Sequence, residues 1–349
     1  MKSCASIGRN LLTWVMLAIA LSSGQRRLVA QTASEPASAN DAAAAVTRAL
    51  PLLQKAASNY PKHRDCFSCH HQTLPMLAMT TARAHRLAVD DKLLEAQAQF
   101  THKWFETQIG NMKQGRGIGG RAMNVGYGLW ALSLTDWKAN ATTEAMVTYL
   151  LKTQKPDGHW EGQVSRPPLE ESYVMATALA CAGMKKYATD SQKSQLDATI
   201  AKARSWLGQA PLKGQEDKTA KLWGLHVLDA SQDEIRKARA GILAAQHEDG
   251  GWSQTAEMKS DAYATGQALF VLQATGLATS DAAYQRGIQY LVKTQAKDGS
   301  WYVKTRSRPI QTYFDNGDPY GNDQFISICA TAWASTALAQ SLDFRAPAE

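Results

Sequence analysis

The sequence has 349 residues, of which 44% are hydrophobic and 20% charged, an ordinary composition for a globular protein. Its formal net charge is +7, but Lys2, Arg9, Arg26 and Arg27 contribute four of these charges, which leaves +3 for a chain starting at residue 31. That excess is too small to predict binding to nucleic acid or to an anionic membrane surface.

The N-terminus carries an apolar run, Leu11 to Leu21, preceded by basic residues. The run is too short to span a bilayer and has the length of a signal-peptide core. We therefore predict that residues 1–30 are a signal peptide, with cleavage near Gly24 or Ala30. An uncleaved anchor is the alternative. Either way the body of the protein is expected to be periplasmic or secreted, and no stable membrane insertion is expected after cleavage.

Residues 31–45 are rich in small and polar side chains and are predicted to form a flexible linker before a single domain, residues 46–345. Within that domain the pattern Q-x-x-D-G-x-W occurs three times. The three copies begin at Gln154, Gln246 and Gln295. Degenerate copies, around Leu52–Gln54, Trp104–Gln108 and Trp206–Gln209, fill the gaps and bring the number of repeats to about six.

The physics of the pattern indicates a clasp between two helices. Asp-Gly is a turn dipeptide in which glycine can adopt positive φ. The Gln side chain can bond the backbone at the turn, and the Trp covers the turn with a large apolar face. Each copy follows a helical run and precedes a second run rich in Ala, Thr and Gly, whose small side chains suit crowded inner helices. The predicted second helices are residues 127–134, 173–184, 222–228, 263–276 and 330–339. The fold class is therefore predicted to be all-α, an α/α toroid of about six hairpins.

These three clasps resemble the repeats of squalene-hopene cyclases and of the wider terpenoid cyclase/protein prenyltransferase superfamily. The segment Asp323 to Ala334 is similar to the last inner helix of the cyclases. The resemblance covers roughly residues 46–340 and implies the toroid fold more strongly than any activity.

The chain departs from this resemblance in three respects. It has no D-x-D-D motif, with which squalene-hopene cyclases protonate their substrate, and its length suffices for one of their two helical domains. Protein prenyltransferases hold zinc through Asp, Cys and His late in the ring. His226 and Cys329 are present here, but no matching constellation is evident.

The strongest chemical motif is Cys66-Phe67-Ser68-Cys69-His70, the attachment pattern of c-type haem. In that interpretation Cys66 and Cys69 form thioether bonds to the haem and His70 is an axial metal ligand. Export agrees with it, because such haem is attached outside the cytoplasm.

Two alternatives to haem c stay open for the same cysteines. One is a Cys66–Cys69 disulfide or dithiol. The other is a zinc site in which Cys66, Cys69 and a histidine are completed by His63 or His71. If haem is bound, its second axial ligand is not identified. Met76, Met79, His63 and His71 are among the possible ligands.

The repeat spacing, counted from Gln54, places the CxxCH motif at the start of the first inner helix, with Pro75 in that helix's first turn.

Carboxylates precede other inner helices, either as acid/base groups or as helix N-terminal charges. They are Glu170, Glu171, Asp261 and Asp323. Tyr127, Tyr173 and Tyr263 recur at one register. The long loop from Tyr302 to Asn322 suits a lid, a partner surface or a plain surface loop.

Three functions follow from these features. The first is electron transfer or a small redox reaction through haem c, with a redox partner protein. The second is a toroid enzyme or binder for an apolar, isoprenoid-like small molecule. The third is a zinc-stabilised interaction scaffold.

Overall fold

The computed structural model describes residues 38–163, 165–309 and 312–342, which all belong to one unit, Pro36–Glu349. The predicted signal peptide lies outside the described residues. Within these ranges the chain forms thirteen α-helices and no β-strand, and no helix is long and apolar enough to cross a membrane. The helices are α1 Ala39–His63, α2 His70–Ala84, α3 Asp91–Glu106, α4 Ile109–Lys113, α5 Arg121–Ser133, α6 Ala141–Thr153, α7 Tyr173–Tyr187, α8 Lys193–Gln209, α9 Gln215–Val227, α10 Gln232–Leu243, α11 Ala262–Ala274, α12 Ala282–Thr294 and α13 Gln324–Gln340.

Twelve of these helices pair into six hairpins, each with an outer and an inner helix. The inner helices are α2, α5, α7, α9, α11 and α13, and each contacts the next in this order. The last of them, α13, contacts α2 and so closes the ring. The predicted all-α toroid of six hairpins is confirmed.

Inner and outer helices differ in which faces they bury. Helix α11 is buried on all sides from Ala262 to Leu272, as expected for a helix at the centre of a ring. A Cβ on its Gly266 would lie 2.5 Å from the backbone of Trp333 in α13, so glycine permits this close approach. The outer helix α12 is amphipathic and buries residues spaced three and four apart, namely Tyr284, Gly287, Ile288 and Leu291.

The three Q-x-x-D-G-x-W clasps share one set of contacts. The Trp side chains at 160, 252 and 301 are fully buried, and each indole N–H donates to a carbonyl of the preceding outer helix at 2.8–2.9 Å. Each Gln amide donates to the carbonyl of the Gly in its own turn. The sequence-based account of the motif as a clasp is therefore confirmed.

The same Gln side chains also connect neighbouring hairpins. Gln154, Gln246 and Gln295 donate to the carbonyls of Thr199, Ala283 and Ala45, each on the next outer helix, at 2.8 Å. The bond from Gln295 to Ala45 joins the last hairpin to the first. The clasp thus stabilises the ring as well as the hairpin.

The first hairpin corrects two predictions. Residues 39–45 are not linker but the first turns of α1, because Ser38 and Asp41 form a capping box and Ala42 and Ala45 are buried. Gln54 is not a clasp residue, since α1 continues through it to His63, and its side chain accepts from the Asp90 N–H at 2.8 Å. Nevertheless, α2 begins at His70, as the spacing predicted.

Candidate functional site

The CxxCH segment forms the turn that leads from α1 into α2. Cys69 precedes the helix with φ of 46°, a conformation uncommon for a residue with a side chain. The turn is held by bonds from Ser68 N–H to the Gln72 side chain at 2.9 Å and from Thr73 N–H to the Cys69 carbonyl at 2.9 Å. Pro75 lies beyond the first turn of α2, one turn later than predicted.

Three side chains with ligand atoms meet at this turn. The Cys69 thiol lies 3.0 Å from Nδ1 of His70 and 3.7 Å from Oε1 of Glu170. The same His70 Nδ1 lies 3.8 Å from Glu170 Oε1. Glu170 comes from the segment before α7, two hairpins away in the chain; His70 and Glu170 are buried and Cys69 is half-buried. Together they form a possible site for a metal ion.

Glu170 is held in place by Arg166. The Arg166 guanidinium donates to both carboxylate oxygens, with Nε 3.1 Å from Oε2, and the two residues are also joined by backbone hydrogen bonds. From the sequence, Glu170 is expected to be either an acid/base group or a helix-terminal charge. Its position beside Cys69 and His70 is consistent with a functional role.

Burial sets the protonation of the groups around this turn. It raises the pKa of the Cys69 thiol, and the nearby Glu170 carboxylate raises it further. Burial also lowers the pKa of His70 to about 3, with a further contribution from Arg166. The pKa of His71 is lowered to about 3 by burial and then by His70. Both imidazoles are therefore neutral at physiological pH, the form that binds metals.

A cavity of about 500 Å³ opens beside the turn. Cys66, Cys69, His70 and Glu170 line one part of it. Much of the remaining lining is apolar and includes Phe67, Trp104, Met123, Leu169, Phe325 and Ile326. The cavity surface is therefore mainly apolar, with the possible metal ligands Cys69, His70 and Glu170 in one part of its wall.

The structure places the other residues predicted for haem or zinc as follows. Cys66 and Cys69 are free thiols, and Cys66 lies 3.5 Å from the Tyr60 hydroxyl. His71 is buried at the cavity and receives a hydrogen bond from Asn316 at 3.0 Å. His63 instead stacks on Phe314 at the surface. Met76 and Met79 are fully buried in the core and do not line the cavity.

The remaining predicted carboxylates lie outside the cavity lining. Asp261 caps α11 by accepting from the Ala264 N–H, and burial raises its pKa to about 6. Asp323 accepts from Tyr302 and Thr305, and Glu171 is exposed.

Of the three tyrosines at one register, Tyr127 and Tyr263 are buried but Tyr173 is 46% exposed, so they do not share one role.

The buried acid Glu216 was not among the residues predicted from the sequence. It lies in the first turn of the inner helix α9, where its Oε2 accepts from the Tyr263 hydroxyl at 3.0 Å. Burial raises its pKa to about 8. The neighbouring Asp217 accepts from Ser172 Oγ at 2.5 Å. An acidic pair at the start of an inner helix was the available signal, but neither residue lines the cavity.

The long loop between Tyr302 and Asn322, of which residues 302–309 and 312–322 are described, contributes residues to the cavity. Thr305, Ser307 and Arg308 are part of the lining. The Ser307 hydroxyl donates to the Pro167 carbonyl at 2.7 Å, and Arg306 donates to the Gln254 side chain at 2.8 Å. The loop therefore forms part of the wall of the site.

Comparison with known proteins relates this architecture to terpene cyclases. The squalene-hopene cyclase C-terminal domain matches residues 217–309. The type II terpene cyclase MstE from Scytonema superposes with a TM-score of 0.59 at 15% identity, covering 88% of this chain and 99% of that one. A variant of MstE in complex with geranylgeranyl dihydroxybenzoate superposes with a TM-score of 0.58 at 15% identity, covering 87% of this chain and 98% of that one. The chain has the α/α-toroid fold of these cyclases.

The same fold also occurs in a protein of different activity. A glycosidase variant in complex with glucose superposes with a TM-score of 0.51 at 12% identity, covering 85% of this chain and 97% of that one. No curated protein matches the sequence. The fold is therefore shared with enzymes that act on apolar and on polar substrates, and the choice between them rests on the site.

Proposed function

We propose that this protein binds an apolar, isoprenoid-like small molecule in the cavity beside the Cys69 turn. The observation that carries the proposal is the lining, whose exposed surface is mainly apolar and includes Phe67, Trp104, Met123, Leu169, Phe325 and Ile326, with Cys69, His70 and Glu170 among its polar groups. Small-molecule sites in proteins are typically concave pockets of roughly 300–1,000 Å³ with mainly apolar walls, and this cavity falls in that range.

The comparison supports the same class of ligand. MstE, which shares the fold, is described with the substrate geranylgeranyl dihydroxybenzoate. This chain lacks the D-x-D-D motif, so any chemistry on such a ligand would depend on other residues. The side chains of the Cys69 turn and Glu170 are among the polar groups that line the cavity and could contact it.

A charge placed in the apolar wall tests this proposal. In the variant Leu169→Asp, a carboxylate lines the cavity, and we expect binding of tritiated geranylgeraniol to weaken at least tenfold, about 1.4 kcal/mol. Leu212→Asp is the matched control, because Leu212 is 43% exposed and lies outside the cavity lining. Equilibrium binding to detergent-dispersed ligand measures both. Equal binding by wild type and Leu169→Asp would contradict the proposal.

Covalent haem c at Cys66, Cys69 and His70 is the second candidate. The observation that favours it is that both thiols and the imidazole line the same cavity. Cys66, Cys69 and His70 would then hold the haem, which would supply one-electron chemistry with a redox partner protein. Export to the periplasm or the exterior, which this candidate needs, rests on residues outside the described ranges.

A spectrum decides whether haem is present. Protein expressed with its N-terminal segment, in cells that carry haem-attachment machinery, is expected to give a pyridine-haemochrome signal that Cys66→Ser and Cys69→Ser weaken. If wild-type protein shows no such signal under these conditions, the haem candidate is wrong.

A further inference from the structure

We infer that Cys69, His70 and Glu170 bind a zinc ion whose fourth coordination position faces the cavity. The inference deepens the proposed function, on which it rests for the identity of the fourth ligand. It differs from the zinc site expected from sequence, because Glu170 replaces Cys66 and the second histidine.

The distances between the three ligand atoms suit one small ion. Sγ of Cys69, Nδ1 of His70 and Oε1 of Glu170 lie 3.0, 3.7 and 3.8 Å apart. A tetrahedral zinc ion with bonds of about 2.3 Å to sulfur and about 2.0 Å to nitrogen or oxygen places its ligand atoms roughly 3.3–3.6 Å apart. The three atoms therefore need to move only by tenths of an ångström to coordinate zinc.

The orientation of His70 argues against a Cys–His–Glu catalytic triad. In a triad the imidazole uses one nitrogen for the nucleophile and the other for the orienting carboxylate. Here the same nitrogen, Nδ1, is the nearest to both the thiol and the carboxylate. Three ligand atoms that converge on one point are the arrangement of a metal site.

Neighbouring groups hold these ligands in position, as the outer shell of a metal site does. Arg166 donates to both oxygens of Glu170 and fixes the direction of its carboxylate. The hydrogen bond from Ser68 N–H to Gln72 fixes the turn that carries Cys69 and His70. A thiolate, an imidazole and a carboxylate together form a typical zinc ligand set.

Three protein ligands leave one position for an exogenous group, as in catalytic zinc sites. All three ligand residues line the cavity, so this position is accessible to a molecule bound there. The ligand is then expected to carry an oxygen, such as an alcohol or carboxylate, at one end of an apolar chain. Zinc would bind that oxygen and the apolar wall would bind the chain.

Metal analysis of purified protein tests the site without any apolar ligand. After incubation with zinc and dialysis, we expect about one zinc ion per chain. Cys69→Ser and Glu170→Gln should each weaken zinc binding at least tenfold, whereas Cys66→Ser and Glu171→Gln should retain it. Glu171 is the matched control because it is the adjacent carboxylate and is exposed.

A second measurement uses the wild-type chain alone, so it does not depend on how the variants fold. Replacement of zinc by cobalt should give a thiolate-to-metal charge-transfer band and the visible spectrum of a tetrahedral ion. The inference is overturned if wild type binds no zinc, if covalent haem is found at Cys69, or if Cys66→Ser loses as much zinc as Cys69→Ser. Retention of zinc by Glu170→Gln also overturns it, because Glu170 is then only the partner of Arg166.

Failure of the metal site and failure of the ligand proposal can be distinguished. Ile326→Asp, which lines the same cavity from α13, should keep its zinc while its binding of geranylgeraniol weakens at least tenfold, because Ile326 is not a metal ligand and is remote in sequence from Glu170. Wild type that binds geranylgeraniol without zinc would contradict the metal site alone.

Discussion

Single residues at the centre of the ring carry charge states that differ from their ordinary ones. Glu216 is buried in the first turn of α9, and its pKa of about 8 means that it is protonated at neutral pH. The groups that influence its pKa come from several elements: the Tyr263 hydroxyl of α11 donates to it, Gln267 of α11 and Arg306 of the long loop lower the pKa, and Asp217 raises it. Burial is the largest of these effects, and it disfavours the charged carboxylate. Protonation of Glu216 therefore stabilises the folded state.

This protonation predicts a pH dependence of stability. In the unfolded chain the Glu216 carboxyl has its ordinary pKa of 4.5, whereas in the folded chain the pKa is about 8. The stabilisation by the proton is therefore fully present below pH 4.5. It decreases by ~1.4 kcal/mol per pH unit as the pH rises from the unfolded pKa through the folded pKa of about 8. We expect Glu216→Gln to remove this slope, which amounts to roughly 2 kcal/mol between about pH 5.5 and pH 7.5.

Urea unfolding of both proteins at these two pH values measures the difference. Other buried acids, such as Asp261 and Asp318, titrate in the same range, so only the comparison of wild type with Glu216→Gln isolates this residue. Glu171→Gln is the control and should leave the slope unchanged. A slope that is identical in Glu216→Gln and wild type would show that Glu216 is ionised in the folded protein.

At the scale of elements, the repeated clasps were predictable and the first helix was not. The Q-x-x-D-G-x-W pattern is local, and its bonding residues contact their own turn, the preceding outer helix or the next outer helix. Helix α1 has no such clasp, so its start had to come from the Ser38–Asp41 capping box and from the burial of Ala42 and Ala45. That burial depends on tertiary contacts. Composition alone does not show them, so residues 39–45 were predicted to be a linker.

In the candidate site, too, the residues of a local motif could be predicted from the sequence and a distant residue could not. Cys69 and His70 are adjacent in sequence, so the motif that contains them could be found directly. Glu170 lies about a hundred residues later, and only the packing of hairpins brings its carboxylate to 3.7 Å from the Cys69 thiol. Among the acids that precede inner helices, nothing in the local pattern distinguishes Glu170 from the capping residue Asp261. Glu216 was missed for a related reason, since its burial follows from the closure of the ring.

At the scale of the whole molecule, ring closure distinguishes this fold from an open stack of repeats. In an open solenoid the junction at either end has one neighbour and contributes less than an internal one. Here the last clasp packs on the first helix, where Gln295 bonds Ala45 and Arg48 bonds Gln295. All junctions of a closed ring are therefore internal.

The equivalence of the junctions can be measured with the glycines of the clasps. A Cβ on Gly299 would lie 2.3 Å from the Arg48 carbonyl oxygen, and one on Gly158 would lie 2.4 Å from that of Lys202. Both glycines have positive φ, 90° and 107°, so alanine is strained at either position. We expect Gly299→Ala, at the closing junction, to destabilise the protein as much as Gly158→Ala between the third and fourth hairpins, by about 2 kcal/mol or more.

The control is Gly208→Ala, because nothing lies within 4 Å of a Cβ at that position in α8. There alanine should be neutral or stabilising by up to about 1 kcal/mol, since it has the higher helix propensity. Guanidinium unfolding, followed by both tryptophan fluorescence and circular dichroism, measures all three variants. A closed ring predicts one shared transition in each. If Gly299→Ala instead separated the first hairpin into a transition of its own, with little loss elsewhere, the junction between α12 and α1 would not contribute to the cooperativity of the ring.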